Sequence, residues 1–545
     1  MQLRPLILAA LGVAALLVTA CTGGSTPDPT SEGETPAPAA ADTFRIGTDA
    51  APATINPLMG HEAEGTTWFY ESLVQLVGDE LVPLVAAEMP QADDDATTWT
   101  VTLRTDVTFS DGTALDAGDV VATYERALDP AAASPWASEL ARLSEVAAPA
   151  TDTVVFTLDA PDAFFGDRLT IGIIPSEVAE AEQGSPLTES SLNETPVGSG
   201  PYVLESWADR NDLVLQARDD WWGGEPEIRQ IILTAVPDAT QRAQMVIDGA
   251  LDGTMIGPAQ AAALLPPGER DGPVAEDEAV TVLVNETADA RAVSLPMDHP
   301  FTADPLVRRA LNFAVDREGI VEGVLDGYAI PVDNPFPHSV GDFAQPSLFA
   351  FDPDAAAALL DEAGWLAGED GMRSKDGEQA RLTLMYPSSD TGRRDQAQVI
   401  VDQFGDVGID ATAEGLSWDL IEPRMSTDAL VFAGGTPGNP DGTAWNWMAC
   451  ELAGDGFNNP GHYCNEELDR ALVEGRSTTD PDAQQAAYAR ANEIYADDPG
   501  FVFLNTVSRT YLLRADGWEG VEPHLEGHVH SVSWGPWWNI AEWTR

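Results

Sequence analysis

Stretches with a two-residue apolar repeat and stretches with a helical repeat take turns along this chain, and this alternation most constrains its fold. Residues 98–103 (TWTVTL) alternate polar and apolar side chains, which predicts a strand. A turn at residues 110–112 (SDG) follows, and then a helix that begins at Asp116 and ends before Pro130. Strands and helices that alternate in this way are typical of α/β domains.

The same alternation recurs further along the chain. Glycine-rich residues 196–202 (PVGSGPY) precede a predicted strand that runs to Trp207, and a turn follows at residues 221–224 (WWGG). Apolar side chains at helical spacing predict one helix over residues 305–319 and another over residues 353–365. The folded part has about 500 residues, more than one core usually supports, so we expect at least two domains.

Four segments, taken in order, carry recognisable motifs. They are residues 99–130 (WTVTLRTDVTFSDGTALDAGDVVATYERALDP), 196–207 (PVGSGPYVLESW, with the later WWGG), 300–321 (PFTADPLVRRALNFAVDREGIV) and 351–365 (FDPDAAAALLDEAGW). Together they resemble the signature motifs of the extracellular solute-binding proteins of the oligopeptide, dipeptide and nickel type. The resemblance covers the chain from about residue 44 to the C-terminus.

The resemblance implies an α/β, two-lobed fold of the periplasmic-binding-protein type, with an extra inserted domain and a hinged cleft. The first lobe would comprise residues 44–287 and 516–545, with an inserted subdomain at about 71–197. The second lobe would comprise residues 288–515, joined to the first by two hinge crossings. Hinged closure around a ligand is a known property of such proteins.

The resemblance also implies a function. The chain would be the extracytoplasmic substrate-binding component of an ABC importer, which captures a small ligand, with peptides as the expected cargo. It would deliver this ligand to permease subunits and their ATPase, and we expect it to act as a monomer. A regulatory lipoprotein that keeps the fold without transport is an alternative, because a fold does not determine a function.

The N-terminus carries an export signal. Arg4 precedes an apolar run over residues 6–18, which is shorter than the roughly 20 apolar residues of a membrane-spanning helix. Residues 18–21 (VTAC) resemble the bacterial lipobox, which predicts removal of residues 1–20 and lipid on Cys21. An ordinary secretory signal is the alternative. Residues 21–43 are predicted to form a disordered tether. Because no later segment of the sequence is apolar enough to span a bilayer, we expect lipid to be the sole membrane anchor.

The charge of the chain excludes some partners. The sequence has 90 acidic and 27 basic residues, a formal net charge of −63, and Lys375 is its only lysine. Such a chain is repelled by nucleic acid and by anionic lipid headgroups. We interpret the charge as a solvated acidic surface and not as an indication of the cargo.

Two cysteines remain once Cys21 is assigned to lipid. Cys450 and Cys464 are an even pair in an oxidising compartment, which predicts a disulfide. Closing a loop of about 15 residues stabilises a protein by roughly 3 kcal/mol in the chain-entropy model. A metal-binding pair is the alternative, although the spacing is wider than that of a zinc knuckle. The resemblance adds that the dipeptide-binding branch has a disulfide at this position.

No enzyme motif is present in the sequence. Residues 198–200 (GSG) lack the G-x-S-x-G order of a nucleophile elbow, and residues 434–442 lack the G-x-G-x-x-G order of a dinucleotide-binding loop. A phosphate-binding G-x-x-x-x-G-K-[ST] loop is also missing from the sequence. We therefore predict neither catalytic residues nor a cofactor.

The resemblance directs the search for a ligand site to residues 431–441 (VFAGGTPGNPD). Peptide binders of this family hold the ligand's amino terminus with a buried aspartate four residues before a proline. Alignment on Pro440 places Thr436 there, and a threonine cannot neutralise an ammonium group. Asp441 is the candidate substitute, with an ordinary turn aspartate as the alternative.

Aromatic residues next to this loop are further candidates. Trp445 and Trp447 would face the same side of an extended segment and flank the ligand, and packing in the core is the alternative. In the first lobe, residues 56–70 match the position where this family approaches ligand by an extended loop. His61 and Glu62 are the candidates there.

Three histidines near the C-terminus have a spacing suited to metal binding. His524, His528 and His530 would supply three imidazoles for nickel, copper or zinc. Ordinary polar loop histidines are the alternative. Because the family has a nickel-binding branch, a metal or metal-chelate binding protein is the alternative function.

Overall fold

The structure is a computed structural model that describes residues 42–60, 66–208, 210–275, 277–514, 517–528 and 535–545. Asp42–Arg545 form one compact unit. Within the described ranges, no helix is long and apolar enough to cross a membrane. Several predictions concern positions outside these ranges, namely the signal peptide, the tether up to residue 41, Cys21, His61, Glu62 and His530. The predicted end of the tether at residue 43 is wrong, because Thr43 begins the first strand.

The described residues contain 21 strands. They are β1 (Thr43–Thr48), β2 (Val74–Val77), β3 (Glu80–Pro83), β4 (Gln91–Ala92), β5 (Thr98–Thr102), β6 (Leu143–Ala150), β7 (Thr153–Leu158), β8 (Tyr202–Ala208), β9 (Asp212–Ala217), β10 (Gln230–Ala235), β11 (Gly253–Ile256), β12 (Gly272–Val274), β13 (Asp277–Ser294), β14 (Ala329–Pro331), β15 (Leu366–Ala367), β16 (Arg373–Lys375), β17 (Glu378–Gln379), β18 (Arg381–Pro387), β19 (Asp410–Leu416), β20 (Ala429–Gly434) and β21 (Phe501–Arg514).

Fourteen α-helices lie between these strands in the same part of the chain. They are α1 (Thr66–Phe69), α2 (Ala117–Leu128), α3 (Trp136–Glu139), α4 (Ser176–Ala181), α5 (Ala239–Ile247), α6 (Pro258–Leu264), α7 (Pro305–Phe313), α8 (Arg317–Val324), α9 (Pro353–Glu362), α10 (Thr391–Asp406), α11 (Trp418–Ile421), α12 (Ala444–Met448), α13 (Glu466–Arg476) and α14 (Pro481–Asp497).

Local sequence signals account for several of these elements. The predicted strand at 98–103 is β5, and the predicted helix after Asp116 is α2, which Asp116 caps by accepting a hydrogen bond from the backbone N–H of Gly118. The predicted helix over residues 353–365 is α9. The prediction of a single helix over residues 305–319 is wrong in one respect. The structure has two helices there, α7 and α8, because the side chain of Asp316 caps the start of the second one.

One large mixed sheet organises the fold. Its order is β19-β18-β20-β13-β21-β11-β1-β10-β9-β8, with β12 paired to β13 and β14 paired to β21. A smaller antiparallel sheet has the order β4-β5-β7-β6. Its core residue Val101 belongs to the same hydrophobic core as Phe44 of β1 and Leu233 of β10. The region predicted as an inserted subdomain therefore shares a core with the neighbouring strands.

The long antiparallel pair β13 and β21 joins separate hydrophobic cores. Val282 of β13 packs with Leu512 of β21 in one core, whereas Ala292 of β13 packs with Phe503 of β21 in another. The β13–β21 register shifts between Glu286 and Ala290, close to the change of core. The predicted crossing at 287/288 falls at this bulge. The second predicted crossing, at 515/516, lies outside the described residues.

Candidate ligand-binding cleft

A cavity of about 900 Å³ lies among several separate parts of the chain, and three of them contribute most of its lining. Residues 136–170 contribute one wall, residues 432–476 contribute a second, and residues 524–528 close it from a third side. A volume of this order is typical of small-ligand sites. The predicted residues Thr436, Asp441, Trp445, Trp447, His524 and His528 all line this cavity.

The loop after β20 is held against two other parts of the fold. Gly435 has φ +138°, and a Cβ there would lie 2.0 Å from the carbonyl oxygen of Ala288 in β13. Gly438 has φ +68°, and its Cβ would lie 2.1 Å from the carbonyl oxygen of Asp79. Both positions require glycine for close backbone approach. The loop that carries Thr436 and Asp441 therefore has a defined place beside the middle of β13.

Asp441 is sealed in the cavity wall and shares a guanidinium with another carboxylate. Its side chain is 3% exposed, and its Oδ2 lies 3.2 Å from Nε of Arg476, at the end of α13. The same guanidinium donates a 2.7 Å hydrogen bond to Oδ2 of Asp162. It also lies 4.0 Å above the ring of Trp445, in cation–π geometry. Arg476 thus links Asp441, Asp162 and Trp445.

A second pair of charged residues extends this group. Asp167 accepts a hydrogen bond from the side-chain amide of Asn439, and Arg168 donates 3.2 Å to the carbonyl of Phe164. Burial raises the pKa of Asp167 to about 6, against the opposing effects of Arg168 and Asn439. Burial likewise raises the pKa of Asp441, although Arg476 opposes the shift.

We call this group the cavity cluster, and it contains three carboxylates but only two guanidiniums. Its members are Asp162, Asp167, Asp441, Arg168 and Arg476, all of which line the cavity. With every member ionised, the cluster carries one net negative charge. A buried charge without a counter-ion is costly, and it favours protonation or the arrival of a cation.

Trp445 and Trp447 have different surroundings. The two rings would face the same side only on an extended segment, and residues 444–448 form helix α12 instead. The ring of Trp445 lies under the guanidinium of Arg476. Trp447 instead stacks on Phe503, with ring centroids 5.5 Å apart and an interplanar angle of 10°. Trp447 also contacts Phe432. It is mainly a core residue that presents one edge to the cavity.

A second group of charges, the strand cluster, lies against the same cavity at the middle of β13 and β21. Its members are Asp289, Arg291, Arg509, Glu526 and His528. Glu526 accepts hydrogen bonds from Arg509 at 3.0 Å, from Tyr511 at 2.9 Å and from Asn285 at 2.5 Å. Despite its burial, the pKa of Asp289 lies well below its usual range, since Arg291, His528 and Arg509 stabilise its anion.

His524 and His528 lie beside the charges of this network. Nδ1 of His528 lies 2.8 Å from Oδ1 of Asp289. Burial, reinforced by the charge of Arg509, lowers the pKa of His524 to about 4. Over the described ranges, no group of three or more His, Cys, Asp or Glu side chains is arranged to hold a metal ion.

Arg393 is a cavity residue that sequence reasoning missed. It lies in the first turn of α10, is largely buried, and its Nε is 3.1 Å from Oδ2 of Asp390. Burial and the nearby charge of Arg291 lower its pKa to about 10. Asp162, Asp167, Arg168 and Arg476 were also missed. The sequence around these residues has no pattern that indicates burial, and the chain has 90 acidic residues from which a buried Asp would have to be distinguished.

A disulfide-closed loop forms the rim of the cavity. Cys450 and Cys464 are bonded, so the predicted disulfide is confirmed. Glu451, next to the first cysteine, forms a 2.5 Å ion pair with Arg142 from the opposite wall. Phe457 in the same loop packs edge-on against Trp418. The rim therefore combines an exposed ion pair with an aromatic contact.

Residues 80–456 match the model of the bacterial extracellular solute-binding proteins, family 5 (middle region). The chain belongs to this family. The family assignment expected from the four sequence motifs is therefore confirmed. The matched range 80–456 contains every residue of the cavity cluster except Arg476.

Individual proteins agree with this assignment. Protein XP55 of Streptomyces lividans is 38% identical over 495 residues, which cover 91% of this chain and 89% of that protein. The oligopeptide-binding protein AppA of Bacillus subtilis is 25% identical, with 98% of each chain covered. The solved structure of AppA, in complex with a nonapeptide, has a TM-score of 0.74 at 22% identity and covers 92% of this chain and 98% of that one.

A second solved structure supports the fold. NikZ of Campylobacter jejuni, in complex with Ni(L-His), has a TM-score of 0.78 at 24% identity and covers 92% of this chain and 99% of that one. The two-lobed α/β fold of the periplasmic-binding type is thus confirmed. Since this fold houses both a peptide and a nickel complex, the fold by itself leaves the cargo to be argued from the site.

Proposed function

We propose that this solute-binding protein captures peptides in the 900 Å³ cavity and delivers them to an ABC-type permease with its ATPase. The observation that carries the proposal is the charge of the cavity: a cluster with one carboxylate in excess, and Arg393 facing the same space. A peptide with free termini has an ammonium group at one end and a carboxylate at the other. Each would meet a buried group of opposite charge.

The ammonium end of the peptide places the stricter requirement on the site. A buried ammonium needs an anionic partner, because its desolvation is otherwise too costly. Thr436 lines the cavity but is uncharged, so it cannot neutralise the ammonium. The cavity cluster, which includes Asp441, has one net negative charge and can do so. A neutral sugar would leave that charge unbalanced.

Metal cargo has less support from the site. His528 is paired with Asp289, and burial, reinforced by the charge of Arg509, lowers the pKa of His524 to about 4. A divalent ion there would meet further repulsion from Arg509. The oligopeptide-binding protein AppA favours peptide cargo, whereas NikZ was solved with Ni(L-His), so the site and not the names of relatives carries the choice.

We further propose that binding closes the two lobes about the middle of β13 and β21. The cavity walls come from residues 136–170 and residues 432–476, on the two sides of the proposed boundary near residue 288. A ligand that contacts both walls shifts the equilibrium toward the closed form by its differential affinity. Small-angle scattering should show a compact loaded form and a more extended empty one. A scattering curve that a verified ligand leaves unchanged would contradict closure.

The proposal includes the location and partners of the protein. Lipid on Cys21 would anchor a monomer to the outer face of the membrane by the tether of residues 21–41. Mass spectrometry of the membrane fraction should find a diacylated or triacylated N-terminal cysteine. A mature chain that begins at another residue would contradict the anchor.

Isothermal titration calorimetry tests the cargo directly. The mature chain is titrated with a pool of di- to pentapeptides, with a sugar and with the Ni–histidine complex as comparison ligands. We expect heat with peptides. We also expect the free energy of unfolding to rise by about 2.7 kcal/mol when peptide is present at 100 times its Kd. No response to any peptide, together with a clear response to the sugar or the metal complex, would overturn the proposed cargo.

A further inference from the structure

We propose that Asp167, on the first-lobe wall of the cavity, is the carboxylate that contacts a primary ammonium group of the ligand. The inference deepens the proposed peptide-binding function and rests on it. It assigns cation recognition to the segment after β7, whereas the sequence motif directs attention to the loop after β20.

The other two carboxylates of the cavity cluster already have a protein cation. Asp162 and Asp441 are each 2% exposed, and both lie within 3.2 Å of the guanidinium of Arg476. Asp162 also accepts a 2.9 Å hydrogen bond from the backbone N–H of Phe164. To reach either carboxylate, a ligand ammonium would have to displace Arg476 from its position over Trp445.

Asp167 differs from them in both accessibility and partners. It is partly exposed and lines the cavity, so that a ligand can reach it. Its hydrogen-bond partner is a neutral amide, that of Asn439. Among the described residues, no Lys, Arg or His nitrogen lies within the 4.0 Å of an ion pair with Asp167, whereas Arg168 beside it donates to the carbonyl of Phe164. Asp167 is thus the accessible carboxylate of the cluster that lacks a contacting cation.

A second feature shows that the cluster is incomplete without a ligand. Oδ2 of Asp441 is buried and accepts no hydrogen bond within the described structure, although Nε of Arg476 lies 3.2 Å away. The charged groups that face Asp167 are Arg168, Asp441 and Asp162. Three carboxylates around two guanidiniums raise the affinity of this corner of the cavity for one further cation. The raised pKa of Asp167, about 6, agrees with that imbalance.

The ammonium can come from the amino terminus of a peptide or from a lysine side chain, and matched peptides separate the two sources. An alanine tripeptide, its Nα-acetylated form and an Nα-acetylated form with one lysine are titrated into the wild-type protein and three variants. The variants are Asp167→Asn, Asp441→Asn and Asp455→Asn. Asp455 also lines the cavity but lies on the exposed rim, so it controls for a general loss of negative charge.

For wild type, we expect at least a ten-fold preference for ligands with an ammonium group over the acetylated tripeptide. Asp167→Asn should reduce this preference to within about two-fold, with little change in affinity for the acetylated peptide. Asp441→Asn should keep most of the preference, and Asp455→Asn should keep all of it. A preference that follows the lysine identifies a side chain as the source, and one that follows the free amino terminus identifies the backbone.

Two results would overturn the assignment. If peptides bind but the preference survives Asp167→Asn, the proposed function stands and the inference fails, most directly if Asp441→Asn abolishes the preference instead. If no peptide binds, the proposed function fails and the inference fails with it.

Proton release provides a readout on the unmodified protein. A ligand cation beside Asp167 lowers the pKa of this group, so binding near pH 6 should release protons. Calorimetry in two buffers of different ionisation enthalpy measures that release. It should be present with the free-amine peptide, absent with its acetylated form, and absent in Asp167→Asn. Equal proton release with both peptides would contradict the assignment.

Discussion

The cavity cluster and the strand cluster lie against the same cavity, yet they differ in charge balance. In the strand cluster, Asp289 and Glu526 face the guanidiniums of Arg291 and Arg509, two against two, with His528 beside them. In the cavity cluster, three carboxylates face Arg168 and Arg476. Buried ions that are paired and hydrogen-bonded are tolerated, and unpaired ones are not. The comparison shows that the charges of the strand cluster balance one another, whereas those of the cavity cluster leave one carboxylate in excess.

Asp289 and Asp167 titrate in opposite directions, whereas burial also raises the pKa of Glu526 in the strand cluster. The pKa of Asp289 lies well below its usual range, because Arg291, His528 and Arg509 outweigh its burial. The pKa of Asp167 rises to about 6, because burial outweighs Arg168 and Asn439. We therefore expect substitutions in the strand cluster to act mainly on stability and substitutions in the cavity cluster mainly on binding.

The largest expected effect is that of Arg509→Met on stability. Arg509 contacts both buried carboxylates of the strand cluster, so its removal leaves them short of a counter-ion. Breaking a buried ion pair costs about 3–5 kcal/mol. Denaturant unfolding monitored by tryptophan fluorescence measures the change. Arg394→Met is the matched control, since Arg394 is exposed and pairs only with its neighbour Asp395, and we expect a change within about 0.5 kcal/mol.

A smaller effect is expected for Arg476→Met in the cavity cluster. Asp162 and Asp441 would lose their shared guanidinium, but Arg168 remains nearby. We expect a loss of about 1.5–3 kcal/mol at neutral pH. Asp441 would lose the guanidinium that opposes its raised pKa, so the loss should shrink as pH falls toward 5. A loss equal to that of Arg509→Met, and independent of pH, would show that the two clusters are equivalent.

The smallest effect concerns the pH dependence of stability in the absence of ligand. Asp167 binds its proton more tightly in the folded protein, where its pKa is about 6, than in the unfolded chain at 3.8. Its contribution to stability therefore falls as pH rises from about 4 to about 6. Asp289 has a depressed folded pKa, so its contribution is present above pH 3.8 and is lost as pH falls below that value.

Thermal unfolding of two variants across this range separates the two contributions. Asp167→Asn should flatten the decline between pH 4 and pH 6, and Asp289→Asn should remove part of the loss below pH 4. Exposed Asp455→Asn serves as the control and should leave both slopes unchanged. A decline between pH 4 and pH 6 that persists unaltered in Asp167→Asn would contradict the assignment of the raised pKa to this residue.

Local sequence signals determined much of this protein. The two-residue repeat at 98–103 and the capped start after Asp116 predicted β5 and α2, because backbone preferences and caps act over a few residues. The four motifs determined the family and its fold, and the cysteine count determined the disulfide. The alignment on Pro440 also identified a loop that lines the cavity.

The tertiary structure alone decided which charges meet. Asp162 and Arg476 are 314 residues apart in the chain, and Asn439 and Asp167 are 272 apart. Among 90 acidic residues, no local pattern distinguishes a carboxylate that becomes buried from one that stays in water. Trp447 in helix α12 stacks on Phe503 from the distant strand β21, whereas Trp445 lies under the guanidinium of Arg476. Burial and pairing arise from contacts between distant segments, and these determine the pKa and the partners of each site residue.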